Sequence, residues 1–309
     1  MGAFVVTPAD EGRHVAGSEE LWGESWYLDF AASDLSYGGY VRLGLYPNLG
    51  RSWLWVYLVG RDRPLVAVRD HDLPCPRGDA LQVTANGARV DLGAPQPLER
   101  YRVAAEATGV ELDDPSRAFH GEQGRPVPVQ VELDWESRGP AFAYESTTRY
   151  EQSAWVTGQI QIGDDTISVR CPGQRDHSWG VRDWWLFPWN WTAGHLDDGT
   201  FFHAARSMLS GMDLFQEGYV IPPGGEQERV DGVDCDVSLD AEQMPVGARQ
   251  RIGPLQLTTE PVAHAPVLLV ADDGRESRFP RAMCRFTTDD GRTGTGWTEY
   301  NWPEASIEA

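Results

Sequence analysis

The sequence predicts an all-β protein built as two β-rich halves, each a barrel or sandwich, with few helices. Short runs dense in aromatic and β-branched residues, such as "SWYLDF", "YVRLGLYP" and "SWLWVYLVG", recur along the chain. Their spacing of roughly ten residues is that of an antiparallel sandwich or barrel. Gly, Pro, Asn or Asp separates the runs, and no convincing amphipathic helix of ordinary length interrupts them.

The first twenty residues read as a mobile tail, followed by a first β half over 21–149. In "SWLWVYL", Trp53, Trp55 and Tyr57 share one face of a strand while Leu54, Val56 and Leu58 share the other. Both faces are apolar, so this strand is expected to be covered on both sides. "RDHD" at 69–72 reads as a turn, and the Asn-Gly of "TANGARV" suits a tight hairpin. The polar, Pro/Gly-rich segment "DDPSRAFHGEQGRPVPVQ" reads as a loop between the halves. A second series of strands begins near Tyr150 and defines the second half, 150–309. Two β halves of similar length suggest a duplicated architecture without a residue-level repeat.

Composition narrows the function. The chain has 309 residues, 41% of them apolar, and a formal net charge of −21. Such an acidic surface argues against nucleic acid or an anionic membrane as partner, since both require a basic footprint. The basic residues are all Arg, with no Lys anywhere. A P-loop lysine and a lysine Schiff base are thereby excluded. No apolar run approaches the length of a membrane span, and the opening residues lack the pattern of a signal peptide. Cys75, Cys171, Cys235 and Cys284 are widely scattered, as expected of reduced thiols in the cytoplasm. Seven histidines form no H-E-x-x-H and no finger-type pair, so no metal is expected. The expected partner is a hydrophobic small molecule, and the expected state is a monomer or homodimer.

Chemistry concentrates in "GQRDHSWGVRDWWLFPWNW", residues 173–191, which holds five tryptophans beside an Arg-Asp-His run. On a strand, Arg175, His177 and Trp179 share one face, and Asp176 and Ser178 the other. His177 and Asp176 are therefore not a side-by-side dyad. The functional reading has His177 and Trp179 facing a cavity, with His177 exchanging protons near neutral pH. The plainer reading is a buried His and Arg that satisfy backbone carbonyls. "DHSWG" falls short of a nucleophile elbow, because Asp176 replaces the first Gly and no helix follows Gly180. Trp184, Trp185, Trp189 and Trp191 suit an aromatic wall for a bulky apolar or cationic species, or equally a packed core. In "GTGWTEYNW", Glu299 lies among Trp297, Tyr300 and Trp302, where desolvation would raise a carboxyl pKa toward general-acid use. Glu145 and Glu151 invite the same comparison.

"RYEQSAWVTGQIQIGDDTISVRCPGQRDHSWGVRDWW", together with "ESWYLDF" and "GGYVRLGLYPN", resembles the two-domain lipocalin-like superfamily. That group includes carotenoid 1,2-hydratases, kievitone hydratase and the fungal decalin-forming Diels–Alderases. The resemblance implies two lipocalin-like (calycin) β-barrel domains packed together, a site at or between them, and no cofactor. It also implies that His177 and Trp179, matching the His-x-Trp of the hydratases, belong to the site. The hydratases carry a Tyr-x-Asp on a following strand, whereas this chain reads "GTFFHAARS", with His203 as the nearby proton carrier. That departure counts against alkene hydration and leaves a hydrophobic pocket intact. The combined expectation is an acid–base enzyme, a hydratase, dehydratase, isomerase or cyclase of terpenoid, polyketide or steroid-like molecules. His177, Asp176 and Glu299 are its expected catalytic groups, and Arg175, Trp179, Trp185, Trp189, Asn190, Trp191, His203 and Tyr300 its expected pocket lining. The rival is a non-catalytic carrier, because a lipocalin-like cavity holds ligands without chemistry.

Overall fold

A computed structural model describes residues 4–121 and 124–303 as two large antiparallel sheets with only three short 3₁₀ turns. The first sheet holds β1 (Trp22–Ala31), β2 (Gly38–Tyr46), β3 (Arg51–Val59), β4 (Leu65–Pro74), β5 (Leu81–Ala85), β6 (Ala88–Gln96), β7 (Arg100–Leu112), β8 (Arg125–Ser137), β9 (Phe142–Ala143), β10 (Arg149–Ile162) and β11 (Asp165–Val181). The second is formed from β12 (Trp189–Leu196), β13 (Phe201–Leu209), β14 (Met212–Ile221), β15 (Glu228–Arg229), β16 (Val233–Leu239), β17 (Pro245–Ile252), β18 (Leu255–His264), β19 (Val267–Val270), β20 (Glu276–Phe279), β21 (Arg281–Thr288) and β22 (Thr293–Pro303). No helix among the described residues is long and apolar enough to cross a membrane.

The first sheet runs β4-β3-β2-β1-β11-β10-β8-β7, and β4 also pairs with β7, which closes these strands into a barrel. The second repeats the plan. In each sheet the first long strand lies beside the last, β1 on β11 and β12 on β22, with the early strands fanning out on one side and the later ones on the other. The duplication expected from the halves is thus one of topology.

Alternation decides what fills each space. Trp26, Leu28 and Phe30 of β1, Leu54, Val56 and Leu58 of β3, and Val131, Leu133 and Trp135 of β8 point into the first barrel and pack it solid. The opposite faces of β1 to β3 carry Tyr27, Tyr40, Trp53, Trp55 and Tyr57, which pack against Trp191, Ala193, Tyr219, Met283 and Trp297 of the second sheet. The two-sided burial expected of "SWLWVYL" is realised in this way. A smaller core, including Phe202, Leu257 and Phe286, lies on the far side of the second sheet. Asn86 and Gly87 both take positive φ, 52° and 77°, in the two-residue turn joining β5 to β6.

Four expectations change. The halves do not divide at 149/150: β10 and β11 belong to the first sheet, and the break falls between Val181 and Trp189. The reason is that β11 pairs with both β1 and β10 and completes the first barrel. "RDHD" at 69–72 is not a turn but lies within β4, where His71 accepts a hydrogen bond from the Trp55 indole at 2.8 Å. The inter-half loop is only partly irregular, because Pro115–His120 forms a 3₁₀ turn and β8 begins at Arg125. The opening residues, described from residue 4, are not a free tail. A 3₁₀ turn over Pro8–Glu11 lies on the mouth of the first barrel, and Glu11 is buried there.

Glu11 is what holds that segment down. Its carboxylate accepts from both Arg175 Nη1 at 3.0 Å and Nη2 at 2.6 Å, and both side chains are almost fully enclosed. A bidentate pair removed from water in this way is sensitive to the loss of one partner. Glu11→Ala is therefore expected to cost about 3–5 kcal/mol, because Arg175 would be left charged and buried. A urea-denaturation series read by tryptophan fluorescence checks this, and Glu11→Gln should fall between the two.

Candidate active site

The site is built around β11, whose two faces are both buried. The register with β1 sets Trp26 opposite His177, Tyr27 opposite Asp176 and Leu28 opposite Arg175. The register with β10 sets Tyr150 opposite His177 and Glu151 opposite Asp176. Arg175 and His177 therefore turn into the barrel mouth with Tyr150 and Gln152, whereas Asp176 turns outward with Arg149 and Glu151 into the space between the sheets. Gly173 permits this close approach of β1, since a Cβ there would collide with the Asp29 carbonyl.

Between the sheets, one guanidinium serves two carboxylates. Arg149 Nη2 lies 2.7 Å from Glu151 and 2.8 Å from Asp176. Glu151 also accepts from the Trp191 indole and from Gln174 Nε2, each at 2.9 Å. Burial pushes the Asp176 pKa up to about 7 against the pull of Arg149, and it raises Glu151 as well. Two carboxylates sharing one guanidinium in a medium of low polarity oppose each other's ionisation. Close by, Asp29 accepts from the Tyr27 hydroxyl and from the Gln174 backbone N–H, each at 2.9 Å. Burial raises its pKa to about 8.

His203 and Glu299 complete this cluster from the second sheet. His203 Nδ1 donates to the Thr192 carbonyl at 3.1 Å, which leaves Nε2 to accept from the Tyr144 hydroxyl at 2.8 Å. Burial drives the His203 pKa well below its ordinary value, so the ring is neutral and oriented. Glu299 is 2.7 Å from Arg281 and accepts from the Trp189 indole at 3.1 Å. Arg281 in turn lies between the rings of Tyr27 and Tyr40, 4.2 and 4.1 Å from their centroids.

The expected lining residues divide among three places. Trp185, Trp189, Trp191 and His203 join Asp176 and Glu299 on the inter-sheet side. Asn190 and Tyr300 alternate away from it, and the Tyr300 ring stacks instead on Trp302. Arg175, His177 and Trp179 lie at the barrel mouth. His177 does not face an open cavity there. Its ring is fully buried, with Nδ1 on the Asp10 carbonyl at 2.6 Å and Nε2 on Glu24 at 3.0 Å. Glu24 also meets His14 Nδ1 at 2.7 Å, so two imidazoles and a carboxylate converge on one point.

Open space lies beside the tryptophans. A cavity of about 260 Å³ is lined by Tyr46, Trp53, Trp184 and Trp185 together with charged side chains, among them Arg51, Arg182, Asp272 and Arg275, and neither Asp176 nor Glu151 borders it. Trp184 leads inward from it, donating to the Tyr46 hydroxyl at 2.9 Å and packing 5.4 Å from Trp189, centroid to centroid. Arg182, from the same "GVRDWW", adds positive potential at Asp176. The sequence reading missed Arg149, Glu24, His14 and Asp29 as site residues. Its usable signal was acidic residues at buried positions of "WGESWYLDF", where Glu24 and Asp29 interrupt an otherwise apolar strand.

The raised carboxyl of Asp29 has a consequence for stability. Unfolded Asp ionises near pH 4, whereas folded Asp29 does so only at about 8. Between those values the folded chain binds the extra proton, so this group's contribution is greatest in acid and falls as pH rises, by at most about 1.4 kcal/mol per pH unit. Asp29→Asn keeps the acceptor for Gln174 and cannot ionise. Its stability relative to the parent should rise steadily from pH 5 to pH 8, as read from urea midpoints at each pH.

Comparison with known proteins fits this architecture. Three solved structures share the fold across nearly the whole chain. One is a candidate AttH from Nitrosomonas europaea, at TM-score 0.66 and 16% identity, covering 96% of each chain. Kievitone hydratase from Nectria haematococca aligns at TM-score 0.62 and 9% identity, covering 96% of this chain and 93% of its own. CghA aligns at TM-score 0.57 and 13% identity, covering 98% of this chain and 97% of its own. These likenesses bear out the all-β fold of two large curled sheets that the resemblance implied. A search of curated proteins finds no match. The family model described as "Domain of unknown function (DUF7064)" matches residues 7–304, nearly the whole chain, and the protein belongs to that family.

Proposed function

We infer that this protein is an acid–base enzyme acting on a bulky apolar metabolite held between the two sheets. The observation that carries the reading is the pair of fully enclosed carboxylates, Glu151 and Asp176, on the single guanidinium of Arg149. Such a pair keeps one proton available near pH 7 with an ionised partner beside it. These are the two states that proton donation and removal require within one turnover. The cavity's Trp53, Trp184 and Trp185 suit an apolar substrate, Trp189 continues inward from Trp184, and the indole faces suit positive charge developing on the substrate. At about 260 Å³ the cavity accepts one ring system of such a molecule.

The reaction class is hydration or dehydration, isomerisation or cyclisation, carried out by side chains without an organic cofactor. A hydratase among the solved structures of this fold supports that range. In this reading the protonated member of the Asp176–Glu151 pair delivers its proton to the substrate. The ionised member accepts one in return, from water or from an adjacent carbon. Arg149 stays charged and holds both carboxyls in place. Glu299, fixed by Arg281, positions the Trp189 ring, and neutral His203 takes the Tyr144 hydroxyl hydrogen and holds that oxygen beside Glu151 as an acceptor. General acid–base transfer supplies about 3–5 kcal/mol of the barrier reduction. Confinement of the substrate against preorganised dipoles supplies the rest.

A carrier is the second reading, favoured by one observation: Arg175 and His177 turn to the plugged barrel mouth rather than to an open cavity. The two readings separate by experiment. Ligand extracted from the purified protein, identified by mass spectrometry and returned with its presumed precursors, should be converted with a mass change of water or with a new retention time at equal mass. Asp176→Asn is expected to lower that turnover by about 10²–10⁴-fold with little change in ligand affinity. A ligand recovered unaltered from every incubation establishes the carrier instead.

A further inference from the structure

We propose that His14, Glu24 and His177 form a binding site for a divalent transition metal of the zinc class, clamping the opening segment to the mouth of the first barrel. The three residues come from separate places, the segment before β1, β1 itself and β11, yet their ligand atoms all lie within 4.8 Å of one another. His14 Nδ1 is 2.7 Å and His177 Nε2 is 3.0 Å from the same oxygen, Glu24 Oε1.

The tautomers admit a cation. His177 Nδ1 lies 2.6 Å from the Asp10 carbonyl, which can only accept, so Nδ1 carries the hydrogen. Nε2 then faces a carboxylate oxygen, a contact satisfied either by a second ring proton donated to Glu24 or by a cation bound between the two atoms. His14 repeats the arrangement. Its Nε2 faces Asp10 Oδ1 at 3.3 Å and its Nδ1 faces Glu24. A metal-binding imidazole characteristically donates its other N–H to a carboxylate or a backbone carbonyl. Here Asp10 supplies both acceptors, its side chain to His14 and its main chain to His177.

The surroundings hold the rings for that purpose. Trp179 stacks on His14 with centroids 3.8 Å apart and planes at 9°, and Trp26 stacks on His177 at 4.4 Å and 22°. Asp10 is itself fixed, accepting from the Thr7 hydroxyl at 2.7 Å and the Thr7 backbone N–H at 2.6 Å. Ligand bonds of about 2.0–2.2 Å place neighbouring donors about 3.3 Å apart, so a bound metal would part each ring nitrogen from Glu24 by a few tenths of an ångström and set the spacing of the two nitrogens, which now lie within 4.8 Å of one another. Two imidazoles and one carboxylate suit zinc, iron(II) or cobalt(II) better than magnesium or calcium. His14 is partly exposed, whereas Glu24 and His177 are buried. The site is separate from the Asp176–Glu151 pair, because β11 turns those residues to its other face.

The test uses the whole chain with no added histidines, stripped with a chelator and titrated with Zn²⁺ and with Co²⁺. The expected result is one saturable equivalent per chain, a visible Co²⁺ absorption of the intensity seen at low coordination number, and a Zn²⁺-dependent rise in Tm. His14→Ala removes a partly exposed ligand and leaves the barrel core intact. It should weaken binding by about tenfold or more and abolish the Tm shift, and Glu24→Gln should act likewise. The surface variant His120→Ala should bind as the parent does. Failure to take up one equivalent of either metal overturns the proposal, as does uptake that His14→Ala and Glu24→Gln leave unchanged. Either result would identify the cluster as a purely hydrogen-bonded plug.

Discussion

A strand buried on both faces has to find partners for its polar side chains on both, and β11 carries Arg175, Asp176, His177 and Ser178 in immediate succession. Much of the molecule is arranged to meet that demand. On one face the opening segment supplies Glu11 and the Asp10 carbonyl to Arg175 and His177. On the other, β10 supplies Arg149 to Asp176, and the second sheet supplies Trp191 to Glu151. Were either covering layer missing, charges that cost several kcal/mol each to desolvate would stand without compensation.

The two faces meet the demand differently, and that difference separates structure from chemistry. Around Arg175 the charges match, one guanidinium to one carboxylate, and Gln152 and the face of Tyr150 fill the remaining space. Around Arg149 they do not match, because two carboxylates share the cation. A buried carboxylate that shares its cation with another is the more costly of the two to keep ionised, and burial raises the pKa of both Asp176 and Glu151.

Much of this was legible in the sequence, for a definite reason. Alternation is a local property, so "SWLWVYL" announces two covered faces, Asn86-Gly87 announces its turn, and "QRDHSWG" correctly separates His177 from Asp176. Alternation does not say which face meets which neighbour. His177 was therefore assigned to a cavity when its face is the plugged barrel mouth, while Asp176 had the inter-sheet side. Partnerships over long separations were the other gap. Glu11 lies 164 positions from Arg175, and nothing in "PADEGRH" distinguishes a docked segment from a loose one. The same gap put the break between halves at 149/150, since only the pairing of β1 with β11 shows that the first barrel continues to Val181.

That pairing also governs the order in which the chain can acquire structure. In each sheet the strand made first is joined to the strand made last, so the central seam of the barrel cannot form until its final residues are present. The hairpins between neighbouring strands are local and quick, whereas each seam requires closure of a loop of about a hundred residues or more, with the entropy that closure costs. High contact order of this kind slows folding and leaves β1, with its buried Trp26 and Asp29, exposed along one edge in the interval. During synthesis the first barrel therefore waits for Val181, and β12 waits for β22 in turn.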